Sequence, residues 1–337
     1  DAVLYPWVYR GELDEPLAMD HDGPALRING RVAALDLSHA GTSAWLQRNE
    51  DVPLDALGVI HLSGAWEVDE AILAKLKGSG CVVGLGDYGD TLAAPLREAV
   101  LACRPTGLIV EQSPTASALL AEADRLRHLV YAGRILPRLA RPEGLWTLML
   151  LDIDAPAATP PPALPLDGVA AFGNLRVLSL GEIDDGNVRY ESLAPLRRLA
   201  GLRSLVVPAP AGAADFEAIT TLHGLEILVL NAQDIRDLGP LAGLDRLRRL
   251  SLTGLPEDVS GLEVLEDLPE LKAVLFSSDT VKANQETLDR LRAARPDVII
   301  QGFCLGSRWM AAIVAGGIVG ALAIRLRGRR VSRCAGR

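Results

Sequence analysis

The chain has 337 residues, 49% of them apolar, which is material for one large or two ordinary domains. Five Trp, five Tyr and four Phe are few for that length, and a Leu-, Ala-, Val- and Gly-dominated chain points to many similar small layers rather than one irregular core. The net charge is −9, but seven arginines and no acidic residue lie from Arg308 onward, so residues 1–307 carry −16, and an acidic body argues against nucleic acid as a partner.

Asp1 rather than Met opens the chain, consistent with processing or truncation at that end. Residues 1–30 read as an N-terminal cap or the end of a longer region. From residue 31 a short apolar unit recurs: "VAALDL" from Val32, "LGVIHL" from Leu57, "GCVVGL" from Gly80, "PTGLIV" from Pro105, "LRHLVY" from Leu126 and "LWTLML" from Leu145. The clearest copies follow: "LRVLSL", "LRSLVV", "LEILVL", "LRRLSL" and "LKAVLF", from Leu175, Leu202, Leu225, Leu247 and Leu271. "PDVII" near Ile299 closes the series. Each is close to L-x-x-L-x-apolar, and the clear copies repeat every 22 to 27 residues. Alternate residues of a short strand face opposite ways, so the first, fourth and sixth residues fill one core layer. One such unit cannot bury its apolar face alone, so the units stack.

These units resemble the leucine-rich repeat family. The resemblance implies an α/β solenoid over residues 31–303: a curved parallel sheet of about twelve short strands, with helices and loops on its convex side. "SLAPLRRLAGLRSL" and "DLGPLAGLDRLRRL" are similar to the bacterial internalin-type repeat, with Pro195 and Pro240 in the first turn of a convex helix. The family's Asn near the ninth position is mostly replaced, by Ala40, Ala65, Ile153, Ile183 and Gln233. Apolar packing is therefore expected to carry more of the stacking.

Residues 81–111 admit a second reading. "CVVGLGDYGD" has Gly84-x-Gly86-x-x-Gly89 after an apolar run, and Glu111 ends the next one, the order of a dinucleotide-binding unit. A phosphate-binding helix would start near Gly86, which would put Pro95 inside it at a cost of about 3 kcal/mol. Asp87 and Asp90 would repel the phosphate. In the repeat reading Pro95 starts a convex helix instead, and the glycines are turn residues permitting positive φ. An enzyme or sensor holding a dinucleotide at 81–111 is thus the alternative; the leading reading requires no cofactor, no metal and no catalysis. Cys81, Cys103, Cys304 and Cys334 form no CxxC pair and read as small buried residues. His61 and His128 fall at outward positions and read as surface histidines.

Two proline-rich stretches interrupt the period. "APAATPPPALPLDG", residues 155–168, and "VPAPAGAAD", residues 207–215, read as surface loops. The outward strand positions include Val59, Val82, Ile109, Val130, Met149, Leu151, Val177, Val206, Ile227 and Val229. Two readings of that row stand: an exposed apolar surface for a protein or surface-polymer partner, or the ordinary preference of β-branched residues for strands.

The C-terminal stretch "WMAAIVAGGIVGALAI", residues 309–324, carries no charge, and as a helix it spans about 24 Å of a roughly 30 Å hydrocarbon layer. Arg308 and Arg325 flank it, Trp309 suits an interface, and residues 325–337 are strongly basic. This reads as a single transmembrane helix with a cytoplasmic tail and an extracytoplasmic solenoid. Gly316-x-x-x-Gly320 has the spacing at which two spans pack into a homodimer. The sequence-level expectation is a membrane-anchored, non-catalytic binding protein, with a structural envelope protein as a further alternative.

Overall fold

The computed structural model describes residues 19–22, 25–28, 31–37, 41–49, 59–63, 70–86, 94–133, 135–151, 163–181 and 189–303. They fall into two compact units, which divide at Ala132/Gly133, apart from Pro137–Arg141, which belongs with the first.

In the first unit β1 (Met19–Asp22) and β2 (Ala25–Ile28) pair antiparallel, and β2 pairs antiparallel with β3 (Arg31–Asp36). The chain then turns repetitive. Strands β4 (Val59–Ser63), β5 (Val82–Gly86), β6 (Gly107–Glu111) and β7 (His128–Ala132) each lie parallel to the strand before. Helices α1 (Thr42–Arg48), α2 (Glu70–Leu76), α3 (Ala94–Ala102) and α4 (Pro114–Glu122) connect them. Pro95 is the second residue of α3, where its missing N–H removes no helical hydrogen bond. Ser113 caps α4 by accepting from Ala116 N at 3.0 Å.

The second unit holds β8 (Thr147–Leu151), β9 (Val177–Leu180), β10 (Ser204–Pro210), β11 (Ile227–Asn231), β12 (Arg249–Thr253), β13 (Ala273–Ser277) and β14 (Ile299–Phe303). All are parallel, in chain order. Strands β8 to β13 each begin two residues after the leucine that opens their sequence unit, from Leu145 and Thr147 to Leu271 and Ala273. Those opening leucines, Leu145, Leu175, Leu202, Leu225, Leu247 and Leu271, are all fully buried. Three residues later runs a second core row: Leu148, Leu178, Leu205, Leu228, Leu250 and Val274, aligned strand to strand and at most 1% exposed. Burying each such side chain contributes about 1.5–3 kcal/mol, and every repeat supplies its own set.

Main chain bonds the turns to one another. The carbonyl at the second position of each unit accepts two N–H groups from the next. Trp146 O takes Arg176 N and Val177 N at 2.8 and 3.0 Å, and Arg176 O takes Arg203 N and Ser204 N at 2.8 and 2.9 Å. The pattern continues through Arg203, Glu226 and Arg248. Among the replaced Asn slots, the described one, Gln233, is exposed, while its neighbour Ala232 is buried and donates to Thr253 O at 2.7 Å.

Two expectations change. The segments led by Pro195 and Pro240 are five-residue 3₁₀ turns, Ala194–Arg198 and Gly239–Gly243, not α-helices. A 3₁₀ turn is used in short pieces and covers more distance per residue than an α-helix, and each of these segments is five residues long. The second proline-rich stretch is not simply a loop. Strand β10 runs to Pro210 with a register shift between Val207 and Pro210, and α5 (Ala213–Thr220) starts three residues later. Prolines donate no ladder bond, so the strand accommodates them at its irregular end. Residues 155–162 of the first proline-rich stretch lie outside the described residues; Asp167 begins a 3₁₀ turn at its end.

Candidate functional site: the outer face of the repeat sheet

Side chains opposite the core rows form two outer rows. In the first unit one row aligns Val82, Gly107 and His128, and the other aligns Gly84, Ile109 and Val130. In the second unit one row runs Thr147, Val177, Ser204, Ile227, Arg249, Ala273, Ile299, and the other Met149, Ser179, Val206, Val229, Ser251, Leu275, Gln301. The predicted outward positions therefore sit on the outer face, one or two per repeat.

Their exposure corrects the expectation of an open apolar patch. Val82 is fully buried; Ile109, Val130, Met149, Leu151, Val177, Val206, Ile227 and Val229 are all between 1% and 9% exposed. The side chain of Val59 lies outside the described set. The physical reason is strand spacing. Parallel strands sit about 4.8 Å apart, so branched side chains on neighbouring strands cover one another. Gly107 shows it directly: a Cβ there would lie 2.8 and 3.0 Å from the γ-methyls of Val82 and 3.3 Å from Cβ of His128. Val82 occupies the space that Gly107 leaves. Gly107→Ala is accordingly expected to cost about 1–3 kcal/mol by overpacking, read as a lower urea midpoint. An unchanged midpoint would mean that the row is looser than this geometry.

The aliphatic row is also broken by hydroxyls. Thr147, Ser179, Ser204 and Ser251 alternate with the aliphatics and are themselves buried. Ser179 donates to Gly181 O at 3.0 Å. The face opens to solvent toward its last strands: Arg249 and Leu275 are half-buried, Gln301 is exposed, and Ile299 is 45% exposed.

His128 is not a surface histidine. It is 6% exposed, and burial first, with the positive charge of Arg127 adding to it, pushes the imidazole down to about 4. The cysteine reading holds where it is described: Cys81 and Cys103 are buried and not in a disulfide. Their thiols meet across two adjacent repeats, and the hydrogen bond from Cys103 lowers the Cys81 thiol to about 7 while the Cys103 thiol is held well above its ordinary value. Cys304 and Cys334 lie outside the described residues.

The dinucleotide alternative meets a geometric obstacle. Gly84 and Gly86 lie within β5, where Gly84 pairs with His61 and Ile109 and Gly86 pairs with Ser63; residues 87–93, before α3, lie outside the described residues. A phosphate cradle needs its glycines in the turn that follows the strand, not in the ladder. The reading of these two glycines as positive-φ turn residues is corrected too. Among the described residues, left-handed glycines stand just upstream, at Gly78 and Gly80. Gly89 lies outside the described residues. Among the described residues no cluster of His, Cys, Asp or Glu could hold a metal ion.

The sequence reading missed a row just before the strands. Arg176, Arg203, Glu226, Arg248 and Lys272 occupy the second position of successive units, and Arg249 follows Arg248. The Arg176 guanidinium lies 4.8 Å from the Trp146 ring centroid, and Arg203 pairs with Glu226 at 3.7 Å. The signal was present: each of these residues follows the first leucine of its unit.

Stacked L-x-x-L-x-apolar strands, a core row per position and one irregular return segment per repeat are now in place. Each unit is an α/β solenoid of stacked, leucine-bearing repeats. Among solved structures the chain is similar to an internalin from Listeria monocytogenes, at 16% identity and a TM-score of 0.40, over 74% of this chain and 82% of that one. It is also similar to a leucine-rich repeat protein of Leptospira interrogans, at 16% identity and a TM-score of 0.38, over 69% of this chain and 57% of that one. No protein-family model and no curated protein matches the chain.

Proposed function

We propose that the chain is a non-catalytic binding protein that holds a protein or surface-polymer partner on the outer face of its solenoid. We propose further that it is anchored to a membrane by residues 309–324, with the solenoid extracytoplasmic. The observation that supports the binding reading is the outer face itself. It sets side chains of fixed positions from seven successive strands of the second unit side by side, and it opens at Arg249, Leu275, Ile299 and Gln301. An extended face of this kind suits an extended partner rather than a small molecule in a closed pocket.

The anchor rests on sequence. Arg308, Trp309, Gly316, Gly320 and Arg325 all lie outside the described residues, and among the described residues no helix is long and apolar enough to cross a membrane. A homodimer through Gly316 and Gly320 is part of the same proposal.

Membrane fractionation of the full chain against one ending at Gly306 tests the anchor. The full chain is expected in the membrane pellet and the shorter one in the supernatant; equal partition sinks it. Capture from envelope fractions tests the face. The exposed-site pair Ile299→Asp and Gln301→Arg is expected to lose the partner that the unaltered chain retains. Equal capture by both would move binding elsewhere.

A further inference from the structure

We propose that the row of cations at the strand entries of the second unit binds an extended acidic polypeptide segment of the partner. This rests on the binding reading above and names the partner's chemistry.

Residues 1–307 carry −16, so a concentrated run of positive charge needs a reason. Arg176, Arg203, Arg248, Arg249 and Lys272 supply five cations along five consecutive strands, β9 to β13. Arg176, Arg248 and Lys272 are exposed, and Arg203 and Arg249 half-buried. The spacing is fixed by the fold, because the carbonyls of Arg176, Arg203, Glu226 and Arg248 all accept main-chain bonds from the following repeat. Their backbones therefore cannot drift apart. Four strand gaps of about 4.8 Å make a row of roughly 19 Å, the reach of about six extended residues.

Two features select the ligand. Arginine dominates, and its planar fork meets carboxylates in paired hydrogen bonds where lysine offers a point charge. Glu226 stands in the middle of the row, 3.7 Å from Arg203. Polyphosphate carries its charge on its backbone and cannot turn it away from that carboxylate. A peptide carries its charge on side chains that alternate between faces when extended, so the one opposite Glu226 can face away. At one end the Trp146 ring under Arg176 holds the guanidinium and offers an aromatic surface. At the other end Lys272 also acts on Asp297, the carboxylate paired with Arg295, so the exposed arginines carry more of the recognition than Lys272 does.

The test uses the full chain and a fluorescein-labelled polyglutamate peptide, read by fluorescence anisotropy, with polyglutamine and polyphosphate as competitors. Polyglutamate is expected to bind, to weaken as salt rises past physiological strength, and to bind roughly ten-fold more weakly to Arg176→Glu with Arg248→Glu. The charge-keeping pair Arg176→Lys and Arg248→Lys should retain an intermediate affinity. Both arginines are exposed, so the circular dichroism of each variant should match the parent, which makes loss of binding interpretable. Equal binding of polyglutamate and polyglutamine, or no change in the reversed-charge variant, overturns the proposal. So does polyphosphate binding more tightly than polyglutamate, which would make the row a general polyanion site. If the reversed-charge variant still captures the envelope partner and the Ile299 and Gln301 variants do not, this inference fails while the broader binding reading stands.

Discussion

Gly261→Ala is expected to destabilise the second unit by about 3 kcal/mol or more. Two separate costs add at this position. Its φ is +80°, a conformation that costs an L-residue about 1–2 kcal/mol. A Cβ there would also lie 2.6 Å from Gly239 N and 3.1 Å from Leu238 N, which are backbone atoms of the preceding repeat, and 2.8 Å from Asp237 Oδ1. Backbone atoms cannot rotate away as a side chain does. The same turn carries the bridge between Asp237 and Ser260, with Ser260 N donating to Arg236 O at 2.9 Å and Leu238 N to Ser260 O at 2.9 Å. Relieving the clash would therefore pull two repeats apart. Other glycines separate the two costs. At Gly78 φ is +71° and nothing lies within 4 Å, so alanine should cost about 1 kcal/mol from φ alone. At Gly212, the N-cap of α5, φ is −77° and nothing lies within 4 Å, so the entropy that alanine removes from the unfolded chain is set against its poorer capping, and the change should stay within about 0.5 kcal/mol. Urea melts of the three variants give the order. A Gly261 variant no worse than the Gly78 variant would show that the repeats slide past each other freely.

Where one repeat's contacts decide the outcome, the sequence was a good guide. The L-x-x-L-x-apolar unit placed β8 to β13 because each strand's core residues come from the strand itself, with a fixed alternation. Pro95 was read at a helix start for the same local reason, and it is the second residue of α3. Exposure was not legible, because it depends on residues one whole repeat away. Val82 is buried by what stands at Gly107 and His128, which are 25 and 46 residues later. No window along the chain reports that. The hairpin β1–β2 is marked in the sequence only by its turn pair Asp22-Gly23, as the step from β2 to β3 is by Asn29-Gly30. The leucine repeat does not reach this hairpin, which carries only Leu26. The cation row was legible in principle. It is periodic in the same register as the leucines, one residue after each, but apolar periodicity alone does not report it.

Acid is expected to weaken the first unit through His128, by about 2 kcal/mol between pH 7.5 and pH 5. In the unfolded chain this imidazole takes its proton near 6.5, whereas in the folded chain burial delays protonation until about 4. Between those values the unfolded chain holds more protons, so lowering the pH favours unfolding. The contribution is complete above pH 6.5, falls as the pH drops below it, and stops falling once the pH passes below about 4. The group is 6% exposed on the outer face, aligned with Gly107, so solvent screening takes little from the effect. Arg127, adjacent in sequence, adds a like charge that the imidazolium would have to face. Carboxylates begin to titrate below about pH 5 and would confuse the reading there, so the useful window is the upper one. The comparison is the urea midpoint of the unaltered chain and of His128→Gln, which keeps a polar side chain of similar reach but cannot take a proton in this range. The two curves should diverge as the pH falls from 7.5 to about 5, with the glutamine variant nearly flat. Parallel curves would mean that the folded protein protonates His128 as readily as the unfolded chain does. The outer face near β7 would then be open to water, and the self-covering row inferred from Val82, Gly107 and Ile109 would have to be abandoned.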